Sequence, residues 1–479
     1  MGIAFLPLYI KYLGMEAYGL IGLYAVMQAW LTLMDMGMTP TLNREMARFT
    51  AGAHTACSIG NLLHSLETVC FVVALIICAA VWSASNWLAS DWLRADRLPI
   101  AEVAQAFTVM AWVLALRFIE GLYRGALLGL QKQVWLNGVG AVLATGRWGG
   151  AVLVLAWVSP SIEAFFLWQG LVSGLSVLVF AVAAHRTLPQ CEMPLRFSTE
   201  AILSVGRFAS GMMATTLLVL LLTQVDKILL SRLLSLETFG HYTFAATVAG
   251  ALLMLVAPIA QAFYPRLTEL VTNGEGANLA ATYHLGAQLV SALIIPAALM
   301  MAFFAETFLW LWTGDAGLAQ ETAPLLALLA LGTMLNGLMH IPYMLQLAHG
   351  WSGFAARVNV VAVSILVPAI FWVTPRYGAV GAAWVWLALN AGYVFIGIHF
   401  MHFRLLPKEK FRWYLQDIAT PIIYSALVVG VSYGLRPAEL ARIESFVWLS
   451  ATLALAYMAV ILGNPKYRQK LFSKMSWKT

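Results

Sequence analysis

Apolar residues fall along this chain in long, nearly uninterrupted runs separated by short polar turns. That pattern is neither the alternation of a half-buried strand nor the narrow stripe of a soluble amphipathic helix. About 20 consecutive apolar residues cross the hydrocarbon core of a bilayer as a helix, and most runs approach or exceed that length. They lie at 17–38, 62–83, 103–130, 134–158 and 162–184, then, after a polar stretch at 189–200, at 201–224, 242–264, 283–304, 324–347, 354–373 and 379–402. Two more, 417–435 and 446–462, follow a basic loop. An opening run, 1–10, is about half the length of a span; the expectation is either a start site placed too late, which is favoured, or a half-span. The pattern predicts an all-α polytopic membrane protein of about 14 spans, the first truncated.

Composition sharpens this picture. With 61% hydrophobic and only 10% charged residues, the chain cannot cover a water-facing surface, since a soluble protein carries about a quarter of its residues as charges. The formal charge of +6 raises the question of nucleic acid. Its distribution answers no, because the basic residues occupy short loops between the runs. Placing the loop of Arg44 and Arg48 in the cytoplasm gathers Arg124, Lys132, Arg186, Arg196, Arg207, Arg266, Arg357, Arg404, Lys408, Lys410, Arg412 and the tail residues Lys466, Arg468, Lys470, Lys474 and Lys478 on the same side. The positive-inside rule then puts both termini in the cytoplasm of a bacterial inner membrane. No cleavable signal peptide is visible. Cys57, Cys70, Cys78 and Cys191 have neither zinc nor redox spacing and read as free thiols.

One local pattern recurs. Leu13, Glu16, Tyr18 and Gly19 stand in the order Leu-x-x-Glu-x-aromatic-Gly, and Leu234, Glu237, Phe239 and Gly240 repeat it. Each copy opens a membrane run that ends in a turn with an arginine, Arg44 or Arg266, and Asn137 and Asn359 keep nearly the same offset. Duplication in parallel orientation predicts two pseudo-symmetric six-helix bundles, 1–188 and 196–404, with a substrate site between them. Residues 413–479 then supply two additional spans and a basic tail.

Charges at bilayer depth are the candidate chemistry. An ionised side chain there costs about 2.5–3.5 kcal/mol on insertion scales and faces a partner or a cavity. Arg117, Glu120 and Arg124, at spacings of three and four, share one helix face, and Arg147 lies in the middle of the following run. The stripe reads either as a structural ion-pair ladder or as a basic wall that binds an anionic headgroup, to which arginine presents a planar fork of donors. Arg117, Arg147 and Arg124 are therefore the candidate substrate ligands. Glu120, Asp35 and Asp226 are candidates for ion coupling or charge balance. His340 and Asn336 line a cavity or bond a neighbouring helix, the latter being favoured; His399 and His402 read as interfacial, and the tryptophans, Trp82, Trp87 and Trp92 among them, as an interfacial belt. No loop is long enough for a catalytic domain, and there is no nucleotide-binding loop, zinc spacing or nucleophile elbow. The expectation is a transporter, not an enzyme, without cofactor or metal.

The stretch Pro7-Leu-Tyr-Ile-Lys11-Tyr-Leu-Gly14-Met-Glu16-Ala-Tyr-Gly19, then Met34-Asp35-Met-Gly37 and Asn43-Arg44-Glu45-Met-Ala-Arg48, resembles the polysaccharide (O-antigen, Wzx-type) flippases of the MOP exporter superfamily. Tyr123-Arg124-Gly125, Gly129-Leu-Gln131 and Val225-Asp226-Lys227 extend the similarity. The resemblance implies a cargo of undecaprenyl-pyrophosphate-linked oligosaccharide, moved from the cytoplasmic to the periplasmic leaflet for lipopolysaccharide or other surface polysaccharide. It implies two bundles rocking about a basic cavity, proton or sodium coupling, and a polysaccharide polymerase as a functional partner. The rival readings are a multidrug cation exporter of the same superfamily, which would want carboxylates in its cavity, and a polytopic sugar polymerase or ligase, which would want a long catalytic loop.

Overall fold

The computed structural model describes residues 2–188 except Met36 and Ala51, together with 196–199, 217, 220–221, 223–437 and 440–463. Most of the expected run 201–224, with Arg207, lies outside the described residues, as do Cys191 and the basic tail. Among the described residues the chain is helical. Ten helices among the described residues are long and apolar enough to cross a membrane, or eleven if one bent pair, Leu236–Gly250 with Leu253–Thr272, counts as a span. The chain is an all-α multi-pass membrane protein.

The chain divides into two compact units, Met1–Gly240 and His241–Thr479. In the first, α1 (Gly2–Met34), α3 (Ala56–Trp87), α4 (Ile100–Gly129), α5 (Gln133–Trp157) and α6 (Ile162–Thr187) are long. A short helix, α2 (Met38–Thr50), joins α1 to α3. The centre of this unit is α4, whose apolar face (Val103, Phe107, Met110, Leu114 and Leu122) is buried against α3 and α6. α7 (Leu236–Gly250) begins in the first unit and continues into the second. The second unit is built on α8 (Leu253–Thr272), α9 (Gly276–Phe303), α10 (Ala305–Thr313), α11 (Ala316–Leu338), α12 (His340–Ala348) and α13 (Ser352–Gly392). It ends with α14 (Ile398–Leu405), α15 (Lys410–Arg412), α16 (Thr420–Gly434) and α17 (Arg442–Gly463); α16 and α17 pack on each other and on α9.

Two of the turns expected between runs are kinks inside continuous helices. At Gly14 (φ 80°, ψ 169°) and Gly378 (φ 60°, ψ −149°) the backbone enters a region open essentially to glycine alone. A helical run can change direction there without a loop. The segments around 1–10 and 17–38 thus form α1, and those at 354–373 and 379–402 form the stretch Gly353–Leu405.

Other expectations change with the packing. Cys70 and Cys78 are free and buried, as expected, but Cys57 is disulfide-bonded. His402 is fully buried rather than interfacial, sharing a 3.0 Å hydrogen bond with the Tyr283 hydroxyl. Asn336 bonds a neighbouring helix, its amide donating to Asn390 at 2.9 Å. Asn137 and Asn359, matched by offset, differ in setting: the first lines a cavity, and the second accepts from the Tyr393 hydroxyl at 2.9 Å.

Candidate functional site

A cavity of about 780 Å³ lies in the first unit between α1, the start of α2, α4 and α5. Helical periodicity delivers its polar wall, since residues three, four and seven apart share a face. On α4 this brings Arg117, Glu120 and Arg124 to one side, opposite Arg147 on α5 and Gln28 on α1. Asp35, at the end of α1, lines it too, whereas Asp226 does not; that carboxylate lies beside Lys227 at 3.4 Å.

Glu120 is the hub. It is 3% exposed, and one of its oxygens accepts from Arg117 Nη1 at 2.8 Å and from Arg147 Nη2 at 3.1 Å. Its other oxygen faces Arg124 Nη1 at 3.8 Å. Arg147 also donates to Ser176 Oγ on α6 at 3.1 Å, while its buried Nε meets no acceptor among the described residues. With the Gln28 amide turned to offer its oxygen, Arg117 donates to it from Nη2 at 2.9 Å and from Nε at 3.1 Å. Arg124 is the loosest of the three, its guanidinium resting 5.5 Å from the centre of the Phe180 ring with a half-exposed side chain.

The two readings of the stripe thus coexist in one structure. Ion pairing is real, yet three cations share one carboxylate. Counting Asp35, the wall still carries one uncompensated positive charge. Asp35 is itself occupied, receiving the Thr39 backbone N–H at 3.1 Å and the Thr39 hydroxyl at 2.7 Å, which satisfies an open donor at the start of α2. Chemically the arrangement suits an anion with several oxygens, which could share Arg117 and Arg147 with Glu120 and meet the more exposed Arg124.

Sequence reasoning missed Gln28, Ser176, Asn137 and Trp148 in this site. Gln28 carried a signal, as the one amide in the otherwise apolar half of α1. A second polar cluster, in the other unit, was missed entirely. His284 on α9 is fully buried; its Nε2 meets Glu409 Oε2 at 2.8 Å and its Nδ1 meets Asp417, which also accepts from Gln288 at 2.8 Å. Glu409 lies between spans. Burial works to raise its carboxyl, but the bonds and charges of His284 and Arg412 outweigh this and hold it below the usual glutamate range.

Comparison with known proteins gives a family and a fold. The family described as polysaccharide biosynthesis protein matches residues 1–271. A putative O-antigen transporter of Shigella flexneri is 19% identical over 376 residues, covering 78% of this chain and 87% of that one. Among solved structures, the lipid II flippase MurJ in an inward closed conformation superposes with a TM-score of 0.70 at 10% identity, covering 98% of this chain and 99% of that chain. An inward-facing multidrug resistance MATE family transporter of the MOP superfamily gives 0.65 at 13% identity, over 86% and 96%. With residues 1–271, more than half its length, matched, the chain belongs to the polysaccharide biosynthesis protein family, and it shares the fold of these solved structures.

Proposed function

We propose that the protein carries a polyprenyl-diphosphate-linked oligosaccharide from the cytoplasmic to the periplasmic leaflet by alternating access, for surface polysaccharide synthesis. The observation that carries this reading is the cluster of Arg117, Arg147 and Arg124 around a single carboxylate in a membrane-embedded cavity. A diphosphate headgroup cannot cross hydrocarbon unaided, because each desolvated polar group costs several kcal/mol. The arginines replace its water while the lipid tail stays in the bilayer. Arg117 and Arg147 hold the diphosphate, and Arg124 receives it at the mouth. The cavity end that carries α2, Arg44 and Arg48 faces the cytoplasm, in line with the loop charges.

Glu120 provides charge balance in the empty state, keeping Arg117 and Arg147 paired until an anion takes them over. Its release by protonation would couple transport to a proton gradient. Asp35 is held by Thr39, and Asp226 lies outside the cavity, which makes both weaker candidates for that role. The test is flipping in proteoliposomes: a labelled polyprenyl-diphosphate glycan is loaded in one leaflet and its appearance in the other is followed. Loss of flipping in Arg117→Ala and Arg147→Ala, each at normal expression, supports the basic site. Undiminished flipping in both overturns it, and transport of organic cations instead would move the assignment to a drug exporter.

A further inference from the structure

The recurring Leu-x-x-Glu-x-aromatic-Gly motif has no part in the cavity, yet its two copies meet each other within the first unit. A Cβ built on Gly19 would stand 2.4 Å from the Leu236 carbonyl oxygen, and one on Gly240 would stand 2.5 Å from that of Met15. Met15 and Leu236 occupy the same position of the motif. Each glycine therefore lies against the backbone of the equivalent residue in the other copy, a reciprocal crossing such as a local two-fold axis produces. Small residues permit helices in lipid to approach this closely.

Both copies also grip the connection between α3 and α4. Glu16, 5% exposed, accepts backbone N–H groups from Asp96 at 2.6 Å, Arg97 at 3.1 Å and Leu98 at 3.1 Å. Its counterpart Glu237 meets the Arg97 guanidinium at 3.2 Å. The Leu236 N–H donates to the Arg94 carbonyl at 2.8 Å, within a parallel bridge between Arg94 and Ser235. Trp92 donates to Ser231 Oγ at 3.1 Å and carries the Arg232 guanidinium on its ring. The grip is unequal. Glu16 is a buried carboxylate with three donors, an arrangement that holds firmly. The second copy relies on glycine contact, a few polar bonds and an ion pair whose arginine is largely exposed, and exposed pairs contribute little. The first copy thus holds the connection more firmly than the second.

Position gives this contact a role. Gly19 and the cavity residue Thr32 are separated by roughly 20 Å along a helix rising 1.5 Å per residue. We propose that the two motif copies form a releasable clasp, closing the end of the first unit remote from the arginine cavity and opening once per transport cycle. This rests on the carrier reading above.

The test locks the clasp. Residues in a parallel bridge sit about 4.8 Å apart, within the roughly 4.4–6.8 Å that a disulfide spans, so Arg94→Cys with Ser235→Cys should cross-link on oxidation. A reporter, Thr32→Cys, is labelled with a membrane-impermeant maleimide applied from the clasp side, and the same protein without the reporter sets the background. Oxidation should cut that labelling and glycan-lipid flipping about tenfold or more, because a gating step that cannot occur stops turnover; reduction should restore both. Gly240→Ala, which forces the copies apart, should act oppositely and raise labelling. Clasp-side labelling that ignores both the lock and Gly240→Ala overturns the clasp. Labelling that obeys both, with no flipping by any version, leaves the clasp standing and overturns the proposed cargo.

Discussion

Replacing Glu120 by glutamine changes one charge and almost no volume, and it isolates what the hub does. The wild-type carboxylate takes Arg117 at 2.8 Å and Arg147 at 3.1 Å on one oxygen and faces Arg124 at 3.8 Å with the other. Glutamine, with its oxygen in the place of the shared one, keeps an acceptor for Arg117 and Arg147 but no charge for any of the three. Removing one partner of a buried ion pair costs about 3–5 kcal/mol, chiefly because the other charge stays buried and uncompensated. Arg147, with its side chain 9% exposed, suffers this fully, whereas Arg117 and Arg124, at 24% and 41%, recover part through water. The lower end, about 3 kcal/mol, is therefore expected. Thermal unfolding in detergent reads this out, with Arg147→Met alone and Glu120→Gln/Arg147→Met closing a double-mutant cycle. The double variant should be more stable than Glu120→Gln, since it removes the stranded cation. Inorganic pyrophosphate should raise the midpoint of Glu120→Gln more than that of wild type, because the site has gained one net positive charge and a ligand that binds only the folded protein stabilises it. A Glu120→Gln protein as stable as wild type, with no coupling to Arg147 and no added response to pyrophosphate, would refute the hub.

Other perturbations follow from the same contacts. Arg147→Lys keeps the charge and a donor for Glu120 and Ser176, both of which bond Nη2, but loses the other guanidinium N–H groups that a diphosphate would take, so flipping should fall about tenfold while expression stays normal. His284→Gln removes both ring contacts and leaves Asp417 with Gln288 and Glu409 with Arg412, so the second unit should lose about 1–3 kcal/mol, seen as early proteolysis near 406–419. On α2, burial works to raise Glu45, but hydrogen bonds from His54 and Arg48 outweigh it and hold the carboxyl below the usual glutamate range. A lowered carboxylate contributes stability that is whole above the ordinary glutamate pKa and is lost as pH falls through the lower folded value. Thermal midpoints of wild type and Glu45→Gln should thus differ at neutral pH and converge in acid; a constant gap would contradict the assignment.

Patterns that repeat at short range are legible in the amino-acid sequence. The spans, the charged stripe on α4 and the isolated Arg147 all follow from helical period and hydropathy. The motif around Glu16 and Glu237 is visible as a repeat, but the contact between its two copies is not, because nothing local encodes a contact across more than two hundred residues. The same holds for His284, whose partners lie 125 and 133 residues away and share no spacing rule with it. The short helix α2 is hidden as a loop: its residues are too polar for a span, and its start depends on Asp35 bonding Thr39. Kinks at Gly14 and Gly378 read as breaks between helices, since a glycine in sequence does not reveal whether the chain bends or ends.

The placement of His284 has a consequence for how the protein is made. Asp417, one of the two carboxylates that meet the ring, lies 133 residues further along the chain. At about 5–20 residues per second, His284 on α9 is synthesised roughly 7–27 seconds before that partner exists. During that interval the imidazole has to stay near water or uncharged, so α9 cannot settle into its final buried position until the last two helices arrive. Chains that stop short of residue 409, before either carboxylate, are left with an unsatisfied polar ring in the membrane, a mark by which quality-control proteases could tell unfinished copies from complete ones.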